Sequence, residues 1–246
     1  MLEQRSTQDE IMDDFSIGDE AMRLTLEELD FINRWLGGHT VTKAGLDSIL
    51  HSPFLASFPL NKLKIADLGS GGGDNLRLMA RWARQRHLPA TFVGLDANPY
   101  IVEYSAAQSR DYPEISYQQV DVFSEEFARQ QYDIITCSLF LHHFPDELLI
   151  KLLAQLHKQA RVAVLINDLH RHPLAYYSIK WLTAAFSRSY LVKHDAAVSV
   201  ARSFTRADWE RILAAAGVPA FRLKWRWAFR WQLVFGPFLE KQTKNV

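Results

Sequence analysis

Lys64-Ile65-Ala66-Asp67-Leu68-Gly69-Ser70-Gly71-Gly72-Gly73-Asp74 is the stretch on which the fold turns. An apolar run of strand length passes directly into glycines at 69, 71 and 73, and an amphipathic run of helical period begins at Asp74. Such glycines permit positive φ and let a ligand lie against bare backbone, while the following helix aims free N–H groups at the same place. A strand, a glycine loop and a helix in that order predict a nucleotide-like ligand at the first strand's C-terminal end.

Outward from this loop, short apolar runs alternate with longer amphipathic ones. Strands are expected near 63–68, 91–95, 115–120, 132–137 and 161–167, helices near 74–87, 99–109 and 146–159, and a short link at 123–130. The alternation predicts an α/β fold with a doubly wound, mostly parallel sheet. Thr205 with Asp208 reads as a capping box for a helix ending at Gly217. From Phe221 to Phe235 apolar residues hold every odd position and Arg222, Lys224, Arg226 and Arg230 lie between them. That period of two predicts a closing strand pair with the basic residues on a solvated face and the tryptophans on the other.

Upstream, 1–24 reads as a loose arm with one short helix, a helix starts near Leu26 and stops at Gly37-Gly38, and a second covers Val41 to Leu50 before Pro53 and Pro59. The expected division is a helical lid over 1–58 and a sheet domain over 59–246, with the aromatic stretch 168–201 as a second, helical lid. Lysine plus arginine, 28, equals aspartate plus glutamate, 28, so no long-range field draws the molecule to nucleic acid or an anionic membrane. One cysteine, Cys137, excludes an intrachain disulfide and a cysteine-based zinc cluster. The polar start and the lack of an apolar run of spanning length predict a cytoplasmic chain with no membrane span.

The ligand is narrowed by what the loop lacks. A dinucleotide fingerprint needs glycine or alanine where Asp74 stands, and a P-loop needs a Lys-Ser or Lys-Thr that is missing. Acids on both sides, Asp67 and Asp74, repel phosphates and suit an ammonium and a cationic centre, which S-adenosylmethionine carries. Asp96 ends the second strand and can accept from ribose hydroxyls. Asp121 ends the third and can accept from an adenine amino group beside the Val122 N–H.

With these residues in order, the chain resembles class I S-adenosylmethionine-dependent methyltransferases, in particular bacterial small-molecule O-methyltransferases. The resemblance rests on Asp-x-Gly-x-Gly-x-Gly at 67–73, Asp96, Asp121-Val122, Tyr132-Asp133-Ile134-Ile135 and Leu141-His142-His143-Phe144, and covers about 60–236. It implies the seven-stranded methyltransferase sheet. It also implies that Asp67 or its loop engages the methionine end, that Gly69, Ser70, Gly71 and Gly73 wrap the sulfonium, and that Asp96 with Ala97 holds the ribose. Asp121 with Val122 would hold adenine, and Ser138 would complete the set. Met12-Asp13-Asp14, Ile32 to Gly38 and Asn167 to Arg171 further resemble a bacterial subgroup that accompanies polyketide pathways.

Methyl transfer to a hydroxyl needs alignment, exclusion of water and removal of a proton. His142, just past the fourth strand, is the expected base, with His143 or His170 as runner-up and Asp168 as the acid that orients an imidazole. A metal at Asp168, His170 and His172 was the competing reading of that loop; the working expectation is a metal-independent enzyme. Trp35, Tyr176, Tyr177 and Trp181 are expected to roof an apolar or aromatic acceptor. The expected reaction is O-methylation of a phenol, quinol or polyketide-derived hydroxyl. C- or N-methylation, or a non-catalytic cofactor-binding module, are the alternatives, and nucleic acid is not an expected partner. A homodimer is compatible with the sequence.

Overall fold

The computed structural model describes residues 2–14, 19–56, 58 and 61–243. Pro59, the expected break before the sheet, lies outside them. The chain begins with α1 (Asp19–Trp35), α2 (Gly38–Leu50) and the single turn α3 (Pro53–Ala56). Then follow β1 (Leu63–Leu68), α4 (Asp74–Gln85), β2 (Ala90–Asp96), α5 (Pro99–Gln108), β3 (Ile115–Gln119) and α6 (Glu125–Ala128). The second half runs β4 (Tyr132–Ser138), α7 (Asp146–Gln159), β5 (Ala160–Leu169), α8 (Pro173–Phe186), α9 (Tyr190–Arg202), α10 (Arg206–Ala215), β6 (Phe221–Arg226), β7 (Arg230–Phe235) and α11 (Pro237–Thr243).

The seven strands form one sheet in the order β3-β2-β1-β4-β5-β7-β6, parallel except for β7, which runs antiparallel to both neighbours. This is the doubly wound arrangement the sequence predicts. Its strand order reverses between β1 and β4, where such sheets open a crevice for ligands beyond the strand C-termini. The central strands β1, β4 and β5 are buried along most of their length because helices cover both faces. Every residue of β5 from Val162 to Asp168 is buried, and separate apolar clusters lie on the two faces. Local signals place the helix starts. Asn98 accepts from the Tyr100 and Ile101 N–H groups ahead of α5, and the Thr205–Asp208 capping box opens α10.

Two expectations fail. The arm has a short helical turn, Ile11–Asp13, in keeping with the one expected there, but it is not loose: Asp195 accepts from the Ile11 and Met12 N–H groups at 2.9 Å each. Arg5 donates to Asp146 (2.6 Å), the Arg202 carbonyl (2.7 Å) and the Phe144 carbonyl (2.9 Å). These partners are 139 or more residues away, so no local pattern announces them. The hairpin also departs from a simple two-faced strand pair. β7 lies between β5 and β6 and is buried along its whole length, Arg230 included, whereas Trp225 and Trp227 are exposed. Strand period reports which residues share a face, but not whether that face meets solvent.

Candidate active site

A cavity of about 630 Å³ opens over the C-terminal ends of β1, β2 and β4, as the strand order requires. Its floor is the loop after β1. Gly71, at φ +49°, has nothing within 4 Å of where a side chain would begin, so this backbone faces open space, and its N–H donates to Asp96 at 3.2 Å. Ser70 Oγ is buried without a hydrogen-bond partner. Asp67 accepts from Asn75 (3.1 Å) and Thr136 (2.6 Å). Burial pushes its carboxyl up to about 7, outweighing those bonds. Burial likewise raises Asp96, against the N–H groups of Asn98 and Gly71. Asp121 stands at the rim, accepting from the Phe123 N–H at 2.9 Å. Ala97, Val122 and Ser138 also line the space.

Gly73 does not. At φ +73° it caps α4, and a Cβ there would collide with the Tyr117 hydroxyl, so its role is the turn and the packing beneath it. Leu139, at φ +52°, turns the chain sharply after β4 and leads into the turn Leu141–His143.

His142 is buried at the cavity wall, with Nδ1 2.7 Å from Asp168 Oδ1. Asp168 also accepts from the Leu141 and Leu169 N–H groups at 3.0 and 2.7 Å. Burial drives this carboxyl up, but the charge and hydrogen bond of His142 and the Leu169 N–H more than reverse it, leaving it below the usual carboxylate range. An ionised Asp168 can only accept, so the His142 Nδ1 carries a proton, and in the neutral ring the lone pair is on Nε2. His143 stacks on His142 at 4.4 Å and places Nδ1 2.9 Å from Asp13.

His170 stands apart from this group. It lies outside the cavity lining, accepts from Trp225 Nε1 at 3.2 Å, and burial lowers its imidazole to about 4. The His172 ring caps α8 through the Leu174 N–H. These two rings are hairpin packing and helix capping.

The four aromatic residues expected over the acceptor are also elsewhere. Trp35, Tyr177 and Trp181 are 72%, 55% and 74% exposed, and neither they nor Tyr176 line the cavity. Both helices that carry these aromatics border the cavity, but through other faces. On α1 the lining residues are Leu26, Leu29, Ile32 and Asn33, with Leu36 just past its end, and on α8 they are Ala175, Ser178, Ile179 and Leu182. Both sets follow helical spacing, which turns the aromatic positions outward.

Glu10, on the arm, escaped the sequence reading altogether. Its side chain is 1% exposed, with Oε1 3.5 Å from His142 Nε2 and 3.8 Å from His143 Nδ1 and no hydrogen-bond partner. Burial pushes its carboxyl up to about 7, against the charge of His143 and the Ser199 hydroxyl. Ligand-type atoms of Glu10, His142 and His143 lie within 4.8 Å of one another, a spacing a divalent cation can bridge. This is a different set from the Asp168, His170 and His172 loop. Phe140 and Phe144, in contact at 4.9 Å, add an aromatic wall.

Residues 65–162 match the family model described as a methyltransferase domain. A ubiquinone biosynthesis O-methyltransferase of Acinetobacter baumannii (strain AYE) is 31% identical over 118 residues, and the match spans 46% of each chain, so this protein spans about half the length of that curated relative. The plantazolicin methyltransferase BpumL in complex with SAH superposes with TM-score 0.60 at 16% identity, covering 88% of this chain and 94% of that one. The citrinin polyketide synthase CMeT domain gives 0.56 at 12%, covering 74% and 48%. Strand order and structural likeness agree on the fold of class I S-adenosylmethionine-dependent methyltransferases, and residues 65–162 match the model of a methyltransferase domain.

Proposed function

We propose that this protein transfers a methyl group from S-adenosylmethionine to a hydroxyl of an apolar or aromatic small molecule, a phenol, quinol or polyketide-derived hydroxyl. The observation that carries this reading is His142, which lines the cavity and is held from behind by the buried Asp168, facing the apolar side formed by Leu29, Ile32, Leu36, Ile179 and Leu182. The cofactor would be held where the donors and acceptors for it lie. Asp67 takes the ammonium, the open backbone at Gly71 and the unpartnered Ser70 hydroxyl take the amino-acid portion, Asp96 the ribose and Asp121 with Val122 the base. A cation beside Asp67 would draw its raised carboxyl back to the ionised form. When bound, the cofactor supplies an electrophilic methyl carbon on a sulfonium.

The protein's own part is alignment and proton removal. Asp168 fixes the ring and its tautomer, and His142 Nε2 accepts the acceptor's hydroxyl proton as the oxygen becomes nucleophilic. Glu10 and Asp168 flank the imidazole and stabilise it once it is charged. Leu29, Ile32, Leu36, Ile179 and Leu182 exclude water from the acceptor. The arm, α8 and α9 act as lids over a sheet domain. The carbon-methyltransferase likeness keeps C-methylation as the second reading, since the same base can take a proton from an acidic carbon. A small-molecule acceptor is further supported by the hairpin, where Arg230 is buried and Arg222 and Arg226 bond Ser48 and Gln232, leaving no continuous basic stripe for nucleic acid. No helix among the described residues is long and apolar enough to cross a membrane.

Calorimetry with S-adenosylhomocysteine and transfer of labelled methyl to a panel of phenols and quinols test the reading. His142→Ala should cut turnover about 10²- to 10⁴-fold with cofactor affinity retained. Asp96→Ala should weaken cofactor binding. Absence of cofactor binding, or of labelled product across the panel, would sink the proposal.

A further inference from the structure

Six carboxylates line the cavity, Glu10, Asp13, Asp67, Asp74, Asp96 and Asp121, against a single Lys or Arg, Arg230. That guanidinium is 2% exposed at the first position of β7, where it pairs with Leu169 at the end of β5. Nη2 donates to Asn33 Oδ1 at 3.0 Å, while Nε and Nη1 are buried without a hydrogen-bond partner. Among the described residues no carboxylate comes within ion-pair distance of it. Asp168 and Asp74 act only at longer range, and Asp74 is engaged by His39 at 2.9 Å. Burial lowers this guanidinium to about 10, and those two acids only partly offset that. A buried cation with unused donors is costly unless a partner arrives.

A second positive feature meets it. Helix α2 begins at Gly38 beside the guanidinium: a Cβ at Gly38 would lie 3.3 Å from Arg230 Cζ and Nη1. No side chain caps this helix, whose N-cap Gly37 is at φ +76°, and its first turn has no acid. The N-terminus of a 13-residue helix carries partial positive charge and free N–H groups. Two like charges this close repel each other, and an anion in the cavity beside both offsets the repulsion and can take up unused Arg230 donors. The fork of a guanidinium matches the two oxygens of a carboxylate.

We propose that Arg230, where it lines the cavity beside the N-terminus of α2, forms a carboxylate-binding subsite. This deepens the methyltransferase reading and rests on it. Two molecules of that reading can bring the group: the cofactor, whose amino-acid carboxylate has no cation among the residues assigned to it above, or an acceptor that carries a carboxylate.

The test compares wild type with Arg230→Met, which keeps the bulk and removes the charge, and Arg230→Lys, which keeps the charge and removes the fork. Calorimetry measures S-adenosylhomocysteine and methylthioadenosine, which lacks the amino acid, and then para-hydroxybenzoate on the protein loaded with S-adenosylhomocysteine. If the cofactor supplies the carboxylate, Arg230→Met weakens S-adenosylhomocysteine about 10- to 150-fold, leaves methylthioadenosine unchanged, and Arg230→Lys falls between. If the acceptor supplies it, S-adenosylhomocysteine binding is unchanged and para-hydroxybenzoate loses affinity by a similar factor. In both cases the unliganded Arg230→Met protein unfolds at a higher temperature than wild type, because an unpaired buried charge is gone. The subsite is overturned if folded Arg230→Met keeps wild-type affinity for S-adenosylhomocysteine while para-hydroxybenzoate shows no saturable binding to wild type, or binds both proteins equally. A wild type that binds no S-adenosylhomocysteine overturns the methyltransferase reading itself.

Discussion

Replacing Glu10 with glutamine tests how the arm and the histidine pair are coupled. In the folded protein the Glu10 carboxyl is pushed from 4.5 up to about 7 by burial, whereas the unfolded chain ionises it at the ordinary value. A carboxyl with a raised folded pKa holds its proton longer in the folded state. Its contribution is therefore fully present below about pH 4.5 and is lost as pH rises through about 7. The full loss is about 3 kcal/mol, most of it between about pH 5 and 7.5. Glutamine resembles the protonated acid and can still accept from Ser199, which donates to Glu10 Oε2 at 2.8 Å. Urea unfolding of both proteins at about pH 5 and pH 8.5 should thus show Glu10→Gln gaining on wild type as pH rises, by about 2 to 3 kcal/mol, or about 4 to 12 °C in Tm. Turnover should move the opposite way: above pH 7 the variant loses the negative charge 3.5 Å from His142 Nε2 and slows relative to wild type. Parallel stability profiles across this range would show that Glu10 ionises in the folded protein as it does in water, and the burial argument would be wrong.

Gly71→Ala places a methyl where the loop faces open cavity, so it should cost about 1–2 kcal/mol for the left-handed backbone and abolish S-adenosylhomocysteine binding in calorimetry; normal affinity would remove the loop from the cofactor site. Dialysis against EDTA should leave methyl transfer unchanged, because Nε2 of His142 must be free to take a proton. Activity lost to EDTA and restored by a divalent ion would instead assign Glu10, His142 and His143 to a metal. Arg5→Ala removes the bond to Asp146 and the donors to the Phe144 and Arg202 carbonyls, and should raise proteolysis of the first 14 residues and lower kcat, with β-sheet circular dichroism intact. An unchanged cleavage rate would show that the arm is anchored elsewhere.

The sheet and its cofactor edge were legible because their signals are local. A strand followed by a glycine loop, an acid at each of the next two strand ends and a capping residue before a helix all act within a few residues of one another, and Asp67, Gly71, Asp96, Asp121 and His142 stand where that grammar puts them. The Asp168 contact needed only that β4 and β5 be neighbours, which a parallel sheet supplies. Glu10, Arg230 and the apolar wall of the cavity were decided by tertiary structure alone. Glu10 reaches His142 from 132 positions away through an arm with no periodic pattern, and Arg230 sits in an alternating strand that reads as solvated until α2 and β6 cover it. Period tells which side chains travel together, but burial depends on what the rest of the chain packs against them, and no stretch of sequence carries that by itself.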